Sequence, residues 1–401
     1  MKSSYLRKIL IIIILIAPFF YYSATVLYAS DITFKEQRKK NNKESKRFNI
    51  PACKSKPTLF SVSPIELEDL SHIVPLGNIS PPFHVFPVRH LYFNIKRINE
   101  NSNSTKVANV YAPGDMWITQ IESMSYLGDD NVIEQEDYRL VFSPCKEVQG
   151  YFIHLTSISN KIQRHFTGVN RSCSEAQAGD WRWISCSQSA KIKIKAGEII
   201  GTAGGGFTNA LDFGLSDFRT EDITFANPKR WVQDGVNTVC ALNYYPPDLK
   251  NELSNYLGNE EQKRSIEPLC GSIAEDIPDT AQGNWFVKGT MIEETLDEDP
   301  QLALVHYNIN PLEEVFSIGT SLESFGIPAN AYKFTPESSG LINRDFKDIT
   351  SDGNIYCYET TNQSLLIELT SSNTLKIGKN DAESCENIPI EFNSGFVEFE
   401  R

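Results

Sequence analysis

The sequence predicts an all-β protein: a glycine-interrupted β domain, then a small β sandwich or barrel, with an N-terminal membrane helix ahead of both. Three observations carry this. Most of the chain consists of short runs of alternating apolar and polar residues, separated by Gly, Pro, Asn and Asp, which is the two-residue period of half-buried strands. With 401 residues, 40% of them hydrophobic, the chain is long enough to bury more than one core. Its eight cysteines are even in number and show no C-x-x-C zinc spacing, so they read as disulfides of an exported protein.

Residues 1–30 carry the export signal. Lys2, Arg7 and Lys8 precede an apolar run from Ile9 to Leu27, about 19 residues, enough to cross a bilayer. A cleaved signal peptide is the alternative; its site would fall near Ala29, where Leu27 fits the small-residue rule poorly. Both readings place the remainder outside the cytoplasm, membrane-anchored at the cell surface or secreted. Residues 31–57 are a basic linker with few apolar side chains, expected to be disordered. Residues 1–57 hold 12 Lys/Arg and 3 Asp/Glu, the remainder 26 and 48. A body this acidic excludes nucleic acid as the natural partner, so contact with the membrane is left to the N-terminal helix.

Residues 58–226 form the first domain. Pro81, Pro82 and Pro87 forbid a helix before His90–Ile95, which alternates like a strand. Val107–Ser125 reads as a hairpin turning at Pro113-Gly114-Asp115. Asp137–Ser143 and Gly150–Ser157 are the next strands; simple alternation puts Phe152 and His154 on one face, opposite Tyr151, Ile153 and Leu155. Lys161–Ala190 is polar and reads as an insertion, with Trp181 and Trp183 near its tip. Lys191–Asp217 organises the domain. A strand over Lys191–Lys195 is followed by Ile199-Ile200 and the loop Gly204-Gly205-Gly206, and Leu211, Phe213 and Leu215 then share one strand face while Asp212 points to the other. Residues 227–281 are a proline-dotted connector with a helical patch at Leu249–Leu257, and residues 282–401 are a second all-β module of seven or eight strands in which His306 is the one candidate ligand. Pairing nearest neighbours gives Cys173–Cys186, Cys240–Cys270 and Cys357–Cys385, leaving Cys53 with Cys145.

The segment KAGEIIGTAGGG…LDFGL resembles the end of the lysostaphin-type zinc endopeptidase domain, a duplicated hybrid-motif fold whose pattern is K-x-G-x-x-I-G, a glycine-rich loop, then H-L-H-F-E. HVFPVRH (His84–His90), VANVYAPGDMWITQI and GYFIHLTSIS fall in the matching order, so the resemblance covers roughly Gly77–Asp217. It implies a groove lined by Gly204, Gly205, Gly206 and Arg89. It also implies metal ligands drawn from His84, His90 and Asp212, with His154 as the catalytic imidazole. The chain departs from the pattern: Val88 stands at the ligand Asp, Arg89 adds a cation beside it, and Ala210-Leu211-Asp212 stands at H-x-H. Two matched ligands hold zinc weakly or not at all. The expectation is therefore an extracytoplasmic, non-catalytic domain that binds cell-wall glycan, peptide or an envelope protein. The alternative is a zinc-dependent peptidoglycan-type endopeptidase with an altered ligand set. No G-x-S-x-G elbow, H-E-x-x-H helix or phosphate-loop Lys-Ser/Thr offers another chemistry.

Overall fold

In the computed structural model the described residues run from 49 to 401, except 55–57, 100–101, 103, 129, 168–170, 179–180, 207, 232, 292–297, 361–363, 381–383, 387–389 and 394. Residues 1–50 form a separate unit of which only Asn49 and Ile50 are described, so the anchor and most of the basic linker lie outside the described residues. Among the described residues no helix is long and apolar enough to cross a membrane.

Strand alternation builds the first sheet. Its strands are β1 (Leu70–Val74), β2 (His90–Ile95), β3 (Ala108–Tyr111), β4 (Met116–Leu127), β5 (Ile133–Cys145), β6 (Val148–Ile158), β7 (Ser172–Ala178), β8 (Trp181–Ile194), β9 (Ile199–Ala203) and β10 (Ala210–Asp217). They lie in the order β1-β2-β10-β6-β5-β4-β8-β7, with β3 and β9 paired to the side and β9 also joined to β6. One face is the core. Leu91 and Phe93, Leu211 and Phe213, Phe152 and Leu155, and Leu140 and Phe142 all point into it and are fully buried. Each such side chain contributes roughly 1.5–3 kcal/mol. The rings of Phe142 and Phe152 stack at 5.0 Å, and Phe213 closes on Phe152 at 4.8 Å.

Three local expectations are corrected. Val107–Ser125 is not a hairpin: β3 pairs with β9, while β4 lies between β5 and β8, so the turn at Pro113–Asp115 joins two strands that find their partners in different parts of the sheet. The insertion is a sheet extension, β7 and β8, in register from Ser172↔Ser187 to Ala178↔Trp181. Its Ser- and Gln-rich faces lack the apolar period that reveals a half-buried strand. In β6, His154 has φ +67°, and this kink resets the alternation. Phe152 and Leu155 both enter the core, and His154 joins Tyr151 on the opposite face. Left-handed backbone is costly for a side chain other than Gly or Asn, of order 1–3 kcal/mol, and such strain gathers at functional sites.

The second module is an eight-stranded, nearly closed barrel-like sheet. Its strands are β11 (Gly283–Val287), β12 (Leu302–His306), β13 (Glu314–Ile318), β14 (Asn330–Phe334), β15 (Tyr356–Glu359), β16 (Ser364–Ser371), β17 (Thr374–Lys379) and β18 (Val397–Glu400), in the order β14-β13-β12-β11-β18-β17-β16-β15. Trp285, Phe316, Phe346, Tyr358 and Phe399 fill it. A separate apolar cluster joins it to the first sheet: Phe86 packs on Phe286 at 5.1 Å and on Trp231 at 5.3 Å, with Ala303 and Val305 beneath. The connector carries the helix Pro247–Ser254, which overlaps the patch expected to be helical but starts two residues earlier and ends three earlier, and Tyr244 and Tyr245 pack on Phe60 of the first core. All eight cysteines pair, as Cys53–Cys145, Cys173–Cys186, Cys240–Cys270 and Cys357–Cys385, which fits an oxidising, extracellular environment.

Candidate functional site

The face of the first sheet opposite the phenylalanine core is polar at its centre. Antiparallel register sets Asp212 of β10 opposite Tyr92 of β2 and Ile153 of β6, and Gly214 opposite both His90 and Tyr151. Gly214 is required there, because a Cβ at that position would be driven into the Tyr151 ring. The ring lies across the bare backbone, and its hydroxyl reaches His90 Nδ1 at 3.1 Å. His90 Nε2 faces Asp212 Oδ2 at 3.1 Å, and on the far side His154 Nε2 approaches the same oxygen at 3.4 Å. His154 Nδ1 is 2.6 Å from Asp137 Oδ2 of β5. The result is a chain of alternating acids and bases, Tyr151–His90–Asp212–His154–Asp137, crossing four strands. Asp212 and Asp137 are buried and His90 nearly so, while the His154 side chain retains 22% of its exposure.

His84 reaches this chain from a loop. Backbone bonds Gly77 N–Val88 O, Val88 N–Asn78 O, Ser80 N–His84 O and His84 N–Ser80 O close residues 77–88 into a tight excursion whose tip is Pro81-Pro82-Phe83. The His84 ring sits 6.0 Å from that of His90, edge to face. The barrel holds the loop from behind: Ser317 Oγ donates to Val85 O at 2.6 Å, and Glu298 Oε2 accepts from Phe86 N at 3.2 Å. Arg89 lies against Gly235, within the electrostatic reach of both Glu298 and His84. In the glycine loop, Gly205 N donates to Thr105 Oγ1 at 3.0 Å, and Gly206 borders Gln135 and Thr156 on the polar face.

The electrostatics follow from burial and neighbours. Burial pushes the His84 imidazole down to about 4, helped by His90, so this ring is neutral near pH 7. Burial also opposes charge on His154, but the carboxylates of Asp212 and Asp137 outweigh it and hold that imidazole up at about 9. Asp212 is the mirror case. Burial alone would raise it, and the charges of His90 and His154 keep it below the usual carboxylate range. Burial raises Asp137 despite its bond to His154.

The site's donors include types that bind zinc. Asp212 Oδ1 is a buried atom without a hydrogen-bond partner among the described residues, and His90 Nε2, though it faces Asp212 Oδ2 at 3.1 Å, makes no well-aligned hydrogen bond; neutral imidazole with carboxylate is a zinc-type donor pair. His154 Nε2 approaches Asp212 Oδ2 at 3.4 Å, but these donors do not all lie within 4.8 Å of one another. Among the described residues, the groups whose donor atoms all lie within 4.8 Å of one another are Cys53–Cys145–Glu147 and Glu66–Glu68–Asp69. The first is a disulfide beside a carboxylate, and in the second Glu66 and Asp69 already serve Tyr111 and Lys106. His84, His90, Asp212 and His154 thus gather in one place without forming a closed three-donor cage.

No protein-family model and no curated protein matches this chain. The sequence singled out the three histidines and Asp212, and the fold brings them together; His306 lies elsewhere, paired with Glu275 at 2.8 Å. Sequence reading missed Asp137, Tyr151 and Tyr92, which reach the site through cross-strand register. The one available signal for Asp137 was a carboxylate entering an apolar strand, DYRLVFS.

Proposed function

We propose that this is an extracytoplasmic binding protein whose polar sheet face is a ligand groove descended from, or convergent with, a lysostaphin-type site, and that it binds cell-wall glycan, peptide or an envelope partner without cleaving it. One observation carries the reading: the Asp212 carboxylate is engaged between His90 and His154, while His84 stands outside donor range of a shared centre. A buried ion-pair chain of this kind presents fixed charges and orients a ligand without needing a metal. The direct test supplies stoichiometric zinc to the purified protein and follows both binding and turnover of cross-linked wall fragments. Binding without turnover, lost in Asp212→Ala, supports the reading; zinc-dependent turnover that vanishes in that variant replaces it.

A specific observation favours the second reading, a metal-dependent hydrolase with altered ligands. His154 is held by Asp137 as an acid–base imidazole is held by an orienting carboxylate, on strained backbone, and beside it the second oxygen of Asp212, Oδ1, is buried without a hydrogen bond among the described residues. In that case His90 and Asp212 would hold the ion, which would supply Lewis acidity, and His154 would move the proton.

A further inference from the structure

We infer that the groove takes a neutral saccharide of equatorially linked pyranose rings, read along an aromatic shelf that Tyr126 and Trp183 form beside Gln135. This rests on the binding reading above and names its ligand class.

Cross-strand register sets Tyr126 of β4 opposite Trp183 of β8 on one side and Gln135 of β5 on the other, so the three share a face. The rings of Tyr126 and Trp183 lie 5.8 Å apart, tilted by 42°, and both are half-buried. The shelf adjoins the glycine loop through Gln135, which pairs across from Tyr126 and borders Gly206. Behind it Glu122 accepts from Ser185 Oγ at 2.5 Å and faces Arg139 at 3.4 Å, and the Arg139 guanidinium stands over the Tyr151 ring at 5.1 Å.

Aromatic faces edged by the planar amide of Gln135 match a pyranose. With its hydroxyls equatorial, the sugar has flat C–H faces that shed water onto indole and phenol rings. Its rim hydroxyls each donate and accept, so they need both kinds of partner. A peptide fits less well. β4 is paired to β5 and β8, and β8 to β4 and β7, so the shelf offers no open strand edge for backbone pairing. The acidic body disfavours a polyanion.

The test titrates the purified full-length chain with cellohexaose and chitohexaose, and with α-linked maltohexaose for comparison, by calorimetry and tryptophan fluorescence. Saturable binding of a β-linked hexaose but not of maltohexaose is expected. Trp183→Ala should weaken it roughly tenfold or more, as loss of an aromatic anchor does. Trp183→Phe, which keeps a ring and guards against misfolding, should retain most of it. Absence of saturable binding to both β-linked hexaoses, or equal binding by Trp183→Ala, overturns the inference. If wall peptide then binds in an Asp212-dependent way, the saccharide falls and the groove stands; if no wall fragment binds, both fall.

Discussion

His154 presents Nδ1 to Asp137 at 2.6 Å and Nε2 toward Asp212 at 3.4 Å, so one imidazole joins carboxylates from two strands that are not neighbours. Removing one of the two charges should release part of the upward shift. In Asp137→Asn the His154 pKa, followed by NMR of the imidazole protons, is expected to fall by about 1–2 units. An unchanged titration would show that Asp137 does not govern this ring.

The same ring gives stability a pH dependence of defined sign. Its folded pKa, about 9, lies above the ordinary 6.5. The folded state therefore binds the extra proton, and the associated stability is fully present below about pH 6.5 and is lost as pH rises through about 9. Urea denaturation should show the wild type losing about 2–3 kcal/mol between those limits relative to His154→Gln. A parallel pH profile for the two proteins would refute this.

Inside the barrel the sign leads to a stabilising substitution. Glu314 is buried against Asp345, accepts from Phe346 N, and is pushed by burial up to about 9. A raised carboxyl stabilises the fold fully below the ordinary Glu value, and that contribution shrinks as pH climbs toward 9. Glu314→Gln keeps an acceptor for Phe346 N and removes the proton requirement. It should be near neutral at pH 4 and raise the melting temperature at pH 8 by several degrees, roughly 1–3 kcal/mol, measurable by calorimetry.

The barrel's grip on the His84 loop can be tested through Ser317, whose hydroxyl is buried on Val85 O. Ser317→Ala leaves that carbonyl without its donor, a cost of about 1–3 kcal/mol. Amide exchange should quicken over Val85–Val88 while β16 and β17 stay protected. Uniform exchange across the molecule would mean that the loop is held by its own hairpin bonds.

The disulfides should rank by the chain they close. Cys53–Cys145 spans 92 residues and Cys173–Cys186 spans 13. Loop-closure entropy puts the first at about 4–5 kcal/mol and the second at about 3. Paired Cys→Ala variants compared by denaturation should keep this order.

Much of this was legible in the sequence, and the exceptions share a cause. Leu211, Phe213 and Leu215 announce a core face, and Asp212 its opposite, because strand period alone decides them. His154 defeats the period, since one left-handed residue moves Leu155 to the face Phe152 occupies. Asp137 and Tyr126 are invisible for another reason: which residue faces which across β4, β5, β6 and β8 is set by bulges and register, properties of pairs of strands that neither strand carries by itself.

Gly214 leaves the sheet bare where Tyr151 crosses it. That gap is occupied space belonging to another residue, and a methyl group would evict its tenant. Alanine at this position would displace the phenol and strip His90 Nδ1 of its partner, shifting the acid–base chain from its first link. A residue with no side chain and no charge thus sets where the first base of the chain finds its partner.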